Sequence, residues 1–371
     1  MLPCAKQAWL EAVEHQIGNP SSPHRIGSRA EMAMNQARES IAGHLGCAPM
    51  DLIWTSGATE SNNMVLHHFR QTLDSTAEIW ISALEHPCVL ETAAWYFPKR
   101  HRLIPADSSG IVDLNWLAAQ LPKSRPGLVA IMAANNETGV LQPWPEAREL
   151  CRKHGVPFFC DAAQWIGKLP AGALGECDYV SGCAHKFGGP KGAGFLKCSG
   201  RFLPLILGGR QEEGRRAGTE NVPGVISMAA ALDFRQEQIA RNAQEKLALE
   251  KSDFERELLK ALPGSLIVGL ENKRLWNTVS VLMPEANCQQ RWVVKLDKLG
   301  FAVSTGSACS SGQEQPSHVL SAMGFGPGET SRVLRFSGGW ETTGTEWSQL
   351  LAALREVYGN LSISNSASYD R

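Results

Sequence analysis

One lysine of this chain stands where it has little packing to do. Lys186, in CAHKFGGPKG, follows His185 and sits just ahead of a glycine pair, off any regular helix face. Such an amine could form a Schiff base with a carbonyl compound. Alone it is equally an exposed surface lysine, as Lys191 in the same stretch illustrates. Three other stretches would complement it. In SGATES, a glycine turn opens a helix whose first N–H groups, with the Thr59 hydroxyl, could hold a phosphate; an ordinary helix N-cap gives the same pattern. In DAAQ, Asp161 could pair with a protonated ring nitrogen, with Gln164 within a turn of it. In AANNETG, Asn135 and Asn136 are either site residues or turn formers. A phosphate nest, a carboxylate and a lysine are the contacts that pyridoxal phosphate needs. A second nucleophile, Cys309, lies in STGSACSSGQEQP, where Ser, Gly and Ala leave a thiol reachable.

The elements that must position these groups alternate along the chain. DLIWT, EIWISAL, GLVAIMAA and VPFFC read as short, continuously apolar strands, with helical patterns between them. This predicts an α/β fold whose large domain has a mostly parallel central sheet covered by helices, with ligands at the C-terminal strand ends. CDYVSGC and GAGFLKC read as a strand and its hairpin partner. A long helical stretch over 228–262 leads out of this domain, and the mixed remainder reads as a smaller α+β domain. The expected boundaries are 13–240 for the large domain and 241–371 for the small one, with residues 1–12 packing on the latter. In the small domain RVLRFSGG puts Arg335 at a strand end, where its guanidinium could take a substrate carboxylate or form an internal ion pair. In GGRQEEGRRAGTEN, Arg215, Arg216 and Thr219 could bind anions, or the stretch is a solvated loop.

The totals narrow the classes. With 371 residues, 36 Lys+Arg and 37 Asp+Glu, the near-zero net charge argues against a surface that tracks nucleic acid. No apolar run is long enough to span a bilayer, and the start lacks a signal-peptide pattern, so a cytoplasmic location is expected. Ten cysteines at this size do not make a disulfide framework. No CxxC occurs, and His86 with Cys88 in EHPC is too sparse for a structural metal, so no metal site is expected. Neither GxGxxG after a strand nor GxxxxGK[ST] is present, which disfavours nucleotide enzymes.

GNPSSPHRIG, TSGATESNN, ALEHPCVL, NNETGVLQP, DAAQWIGKLP, HKFGGPKGAGFL, GRRAGTEN, STGSACSSG and LRFS occur in one order over nearly the whole chain. Together they resemble the cysteine desulfurases of the NifS/IscS type, in the class V aminotransferase family of fold type I pyridoxal-phosphate enzymes. The resemblance implies that Lys186 carries the cofactor as a Schiff base. It places His86 over the pyridine ring, Asp161 at the ring nitrogen and Gln164 at the phenolic oxygen. Asn136 would sit near that oxygen and the substrate carboxylate. Ala58, Thr59, Cys183, His185 and the partner subunit's Thr219 would surround the phosphate, and Arg335 would bind the carboxylate of L-cysteine. Cys309 would take the sulfur as a persulfide, releasing alanine. A homodimer with shared active sites is implied, as is an acceptor or iron-sulfur scaffold protein that receives the sulfur.

Four features depart from that pattern. The family's usual N-terminal YLDNAATTP-like strand motif is missing, which reflects either a late start assignment or loss of that strand. Cys183 stands where Ser is usual, Glu213 where a positive residue is common, and Trp340 where Arg is common. Competing readings are a selenocysteine lyase or other β-lyase of the same fold, and a non-enzymatic homologue acting as a scaffold. Cys309 favours the first reading over the lyases, and the joint presence of Lys186, Asp161, His86 and Cys309 disfavours the scaffold.

Overall fold

A computed structural model of the chain describes residues 1–285, 289–305 and 316–366. It divides into two compact units. The larger comprises Met1–Ile104, Asp113–Ala133 and Gln142–Arg241; the smaller comprises Pro105–Val112, Ala134–Leu141 and the chain from Asn242 onward.

In the larger unit the strands are β1 (Leu52–Thr55), β2 (Ile79–Ser82), β3 (His101–Ile104), β4 (Leu128–Ala130), β5 (Phe158–Asp161), β6 (Tyr179–Cys183) and β7 (Gly194–Cys198). They form one seven-stranded sheet in the order β1-β7-β6-β5-β4-β2-β3. The run from β3 to β6 is parallel, while β7 is antiparallel to both β6 and β1. Most of these strands are buried along their length, which is why they read as continuous apolar runs rather than alternating ones. The helices are α1 (Pro3–His15), α2 (Arg25–Leu45), α3 (Ala58–Thr72), α4 (Pro87–Tyr96), α5 (Leu114–Gln120), α6 (Trp144–Lys153) and α7 (Val222–Ala240). One core joins α3 and α4 to the sheet through Met64, Val65, Val89, Ile81 and Phe159. Helix α2 stops at Gly46, whose φ of 72° lets its N–H reach back to the last turn.

Two expectations need correction. The helical stretch over 228–262 is not continuous: α7 ends at Ala240 and α8 (Ala243–Ala261) begins after Asn242 at φ 55°. Asparagine tolerates this left-handed backbone better than most side chains, and the boundary between the units falls at this turn. Residues 1–12 belong to the larger unit, not the smaller. The Leu2 N–H donates to the Gly188 carbonyl at 2.7 Å, the Ser227 hydroxyl on α7 donates to the Ala5 carbonyl at 2.6 Å, and Ala5 and Ala12 are buried.

The smaller unit carries strands β8 (Leu266–Ile267), β9 (Thr278–Leu282), β10 (Ser304–Thr305) and β11 (Val333–Ser337), an antiparallel sheet in the order β10-β11-β9-β8. Its helices are α8, α9 (Gln289–Lys298), α10 (His318–Ala322), α11 (Pro327–Thr330) and α12 (Gly344–Ser366). Phe254, Leu258, Val279, Val281, Phe336 and Trp347 pack into its core. Among the described residues, no helix is long and apolar enough to cross a membrane.

Candidate active site

In the larger unit the sequence-predicted groups gather where β1, β2, β5 and β6 run into the segments that follow them. Asp161 is the last residue of β5 and is only 5% exposed. Its Oδ2 accepts from the Asn62 amide at 2.7 Å and its Oδ1 from the Ala163 N–H at 3.0 Å. Both donors are neutral, so they solvate the carboxylate without neutralising it. The Glu85 carboxyl is fully buried, and its Oε1 accepts the Met132 N–H at 2.6 Å. Burial, and then the charge of Asp161, push Glu85 well above the usual carboxylate range. Burial therefore favours the neutral form of the Glu85 carboxyl beside Asp161.

Asn62 lies on the face of α3 that also carries Ala58 and Thr59, because positions three and four apart are neighbours on a helix. Its amide nitrogen also donates to the Cys88 sulfur at 3.1 Å. Cys88 sits 3.0 Å from Nδ1 of His86, and the Cys88 N–H donates to the same nitrogen at 3.2 Å. The second of these bonds makes His86 the N-cap of α4, with Pro87 starting the helix. Burial, then the charge of Asp161, push the Cys88 thiol up to about 12, against the hydrogen bonds of Asn62 and Thr59.

The start of α3 leaves its first backbone N–H groups without a side-chain cap. Gly57 holds φ at 153°, and the helix has no side-chain N-cap. A Cβ on Gly194 would lie 2.5 Å from the Gly57 Cα, so β7 can approach this turn only as glycine. The Ala58 N–H donates to the sulfur of Cys183 at the end of β6, whose thiol burial raises to about 11. His185 and Lys186 follow on a short 3-10 turn and are exposed. Burial, then Lys186 and Lys191, lower the His185 pKa, which favours its neutral imidazole. Gln164 presents its Oε1 to Lys168, whose Nζ donates at 2.5 Å; this fixes the orientation of the amide and leaves its NH2 group as the donor. Arg216 holds Glu60 through two hydrogen bonds of 2.9 and 3.4 Å, and Thr219 beyond it is exposed.

The remaining predicted residues lie in the smaller unit. Arg335, on β11, donates from Nη1 to the Asn136 carbonyl at 2.8 Å, so the two are adjacent. Asn135 is a turn former: its Oδ1 accepts the Glu137 and Thr138 N–H groups. Glu137 accepts the Ser317 hydroxyl at 2.5 Å; burial raises its carboxyl to about 7, against the pull of Ser317 and Arg335. Trp340 packs on Trp276 with ring centroids 4.6 Å apart, so the departure from arginine is matched by an aromatic neighbour. In the larger unit, Glu213 is exposed, at φ 59°, with Arg215 3.8 Å away. Cys309 lies outside the described residues. Among those described, no cluster of His, Cys, Asp or Glu could hold a metal.

Glu85, Asn62, Cys88 and Lys168 were not singled out from the sequence as site residues. Two had a readable signal: Asn62 lies three residues after Thr59, and Lys168 four after Gln164. The donor set fits pyridoxal phosphate: helix N–H groups and a neutral imidazole for the phosphate, an uncompensated carboxylate for a ring N–H, an amide NH2 for a phenolate oxygen, and an exposed lysine for the aldehyde.

The chain is similar to known proteins over nearly its whole length. The aminotransferase class-V family model matches residues 2–350. A cysteine desulfurase of Rhodobacter capsulatus is 37% identical over 362 residues, covering 95% of this chain and 92% of its own. The cysteine desulfurase NifS of Azotobacter vinelandii is 32% identical over 361 residues, covering 96% and 89%. Among solved structures, a NifS-like protein of Rickettsia africae ESF-5 superposes with a TM-score of 0.87 at 30% identity, over 97% of this chain and 96% of that one. The chain therefore belongs to the class-V aminotransferase family.

Proposed function

We propose that this protein is a pyridoxal-phosphate-dependent cysteine desulfurase, which converts L-cysteine to L-alanine and leaves the sulfur as a persulfide on Cys309. The single observation that carries this reading is Asp161, a buried carboxylate held by neutral donors beside a neutral Glu85. The cofactor, when bound, supplies an electron sink for the bond-breaking at the amino acid. In this reading Asp161 keeps the ring nitrogen protonated, and Gln164 donates to the phenolic oxygen. The α3 N-terminus with Ala58, Thr59, Cys183 and His185 holds the phosphate, and Lys186 carries the aldehyde. Lys186 or His86 moves the proton at the substrate Cα. Arg335, with Asn136 beside it, receives the substrate carboxylate through a two-pronged guanidinium contact.

The sulfur step balances without an outside oxidant. The Cys309 thiolate attacks the substrate sulfur, the carbon–sulfur bond breaks, a sulfur–sulfur bond forms, and the carbon side takes up a proton to leave as alanine. We further propose a homodimer in which the partner's Thr219 completes the phosphate site, and an acceptor protein of iron-sulfur or thio-cofactor assembly that takes the sulfur. The test is to incubate the purified, cofactor-loaded protein with L-cysteine and measure alanine and Cys309-bound persulfide, beside Cys309→Ala and Lys186→Ala. Stoichiometric persulfide lost in both variants is expected. Alanine production with full persulfide transfer by Cys309→Ala would overturn the assignment.

A further inference from the structure

Cys88 is a member of the Asp161 cluster that the reaction described above does not use. Its surroundings determine where its proton goes. The sulfur receives the Asn62 amide at 3.1 Å. Both Asn62 amide hydrogens are thereby assigned, one to Cys88 and one to Asp161 Oδ2 at 2.7 Å. With the Asn62 amide donating to the sulfur, the S–H proton has Nδ1 of His86, 3.0 Å away, as its acceptor. That nitrogen also takes the Cys88 backbone N–H at 3.2 Å, so it presents a lone pair on two counts. The thiol keeps this proton, because burial and then the charge of Asp161 push it up to about 12.

We propose that Cys88 is a positioning residue for His86: its thiol, donating to Nδ1, fixes the imidazole as the Nε2–H tautomer and links its orientation, through Asn62, to Asp161. In a neutral imidazole the hydrogen bond at one nitrogen decides which nitrogen carries the proton. Here two donors converge on Nδ1 from one residue, and a third bond anchors that residue to the carboxylate cluster. Proton exchange by His86 is thereby assigned to Nε2. The inference rests on the proposed role of His86 in proton transfer, but the tautomer can be read without turnover.

The experiment is a long-range proton–nitrogen NMR correlation on cofactor-loaded protein with 15N-labelled histidine rings, with His86 assigned from the spectrum of His86→Gln. It is run on the wild type, Cys88→Ser and Cys88→Ala, with kcat and KM for L-cysteine measured on each. The expected result is an Nε2–H imidazole in the wild type. In Cys88→Ala the backbone N–H of residue 88 still reaches Nδ1, so the Nδ1 resonance should shift only part of the way toward that of an unbonded ring nitrogen, and kcat should fall roughly tenfold with KM unchanged. Cys88→Ser, which keeps a donor at this position, should restore both. An Nδ1–H imidazole in the wild type would overturn the proposal, as would a Cys88→Ala protein with the wild-type Nδ1 resonance and kcat. Failure of the wild type to release alanine would instead strike the desulfurase reading and leave the tautomer result standing.

Discussion

Two buried carboxylates, one in each unit, are treated in opposite ways. In the smaller unit Glu255 is surrounded by its own cations: Arg274 grips it with two hydrogen bonds of 2.6 and 2.8 Å, and Lys251 lies 3.6 Å away. Lys251 also donates to the Leu275 carbonyl at 3.1 Å, tying α8 to the segment before β9. In the larger unit Asp161 accepts, among the described residues, from an amide and a backbone N–H, and the neighbouring Glu85 is held neutral. A carboxylate whose charge is balanced by its own chain is a structural joint. One whose charge is solvated but left uncancelled is prepared for a cation from elsewhere, and a protonated ring nitrogen is such a cation.

The contrast breaks most directly at the two acids. Asp161→Asn keeps the shape and loses the charge. It should lower alanine formation on the order of 10³-fold, about 4 kcal/mol of barrier, with thermal stability held or raised. Glu255→Gln should do the reverse: it strands two buried cations and should cost about 3–5 kcal/mol of stability, while turnover per folded molecule stays near wild type. Paired denaturant and turnover measurements decide this. If the asparagine variant lost stability and kept its turnover, the distinction between the two sites would fail.

A smaller effect sharpens the comparison through pH. Glu137 is raised from a usual 4.5 to about 7 in the folded chain by burial. Its folded value lies above its unfolded value, so the native state binds the extra proton between them. The stability that this proton contributes is full below pH 4.5 and is lost as pH rises through about 7. Glu137→Gln should remove that slope and gain about 2–3 kcal/mol relative to wild type at pH 8. Urea melts across this window check it, and parallel wild-type and variant curves would refute it.

These contrasts also separate what was legible in the residues from what was not. The continuously apolar strands, the hairpin of β6 with β7, and the strand-end positions of Asp161 and Lys186 follow from local pattern. Asn242 was not legible as a break, because its neighbours continue a helical composition on both sides and only the left-handed backbone at one residue redirects the chain. Glu85 was hidden for a different reason. A carboxyl next to a histidine reads as polar surface, and only the burial created by β2 and β4 makes it a neutral acid beside Asp161. Residue type reports which chemistry is available, whereas the sign and size of a perturbation come from neighbours far away in the chain.

The smallest expected effect lies at Cys183, where the end of β6 meets the start of α3. Its sulfur accepts the Ala58 N–H, one of the helix-end donors that an anion would otherwise use, and burial keeps the thiol neutral at about 11. A thiol returns little for that donor, because S–H is a weak hydrogen-bond donor to an oxyanion. A serine at the same place is smaller, donates more strongly, and accepts from Ala58 at a shorter distance. Cys183→Ser should therefore tighten pyridoxal-phosphate binding about 3- to 10-fold, roughly 0.7–1.4 kcal/mol, which lies within the range of one hydrogen bond. An absorbance titration of the apo-protein with the cofactor measures it directly. Because Cys183 sits at a strand end and not among the groups that handle the Cα proton, kcat at saturating cofactor should move by less than twofold. Unchanged affinity would mean that Ala58 and the α3 terminus hold the phosphate without help from residue 183. The thiol would then be a packing choice at the end of β6.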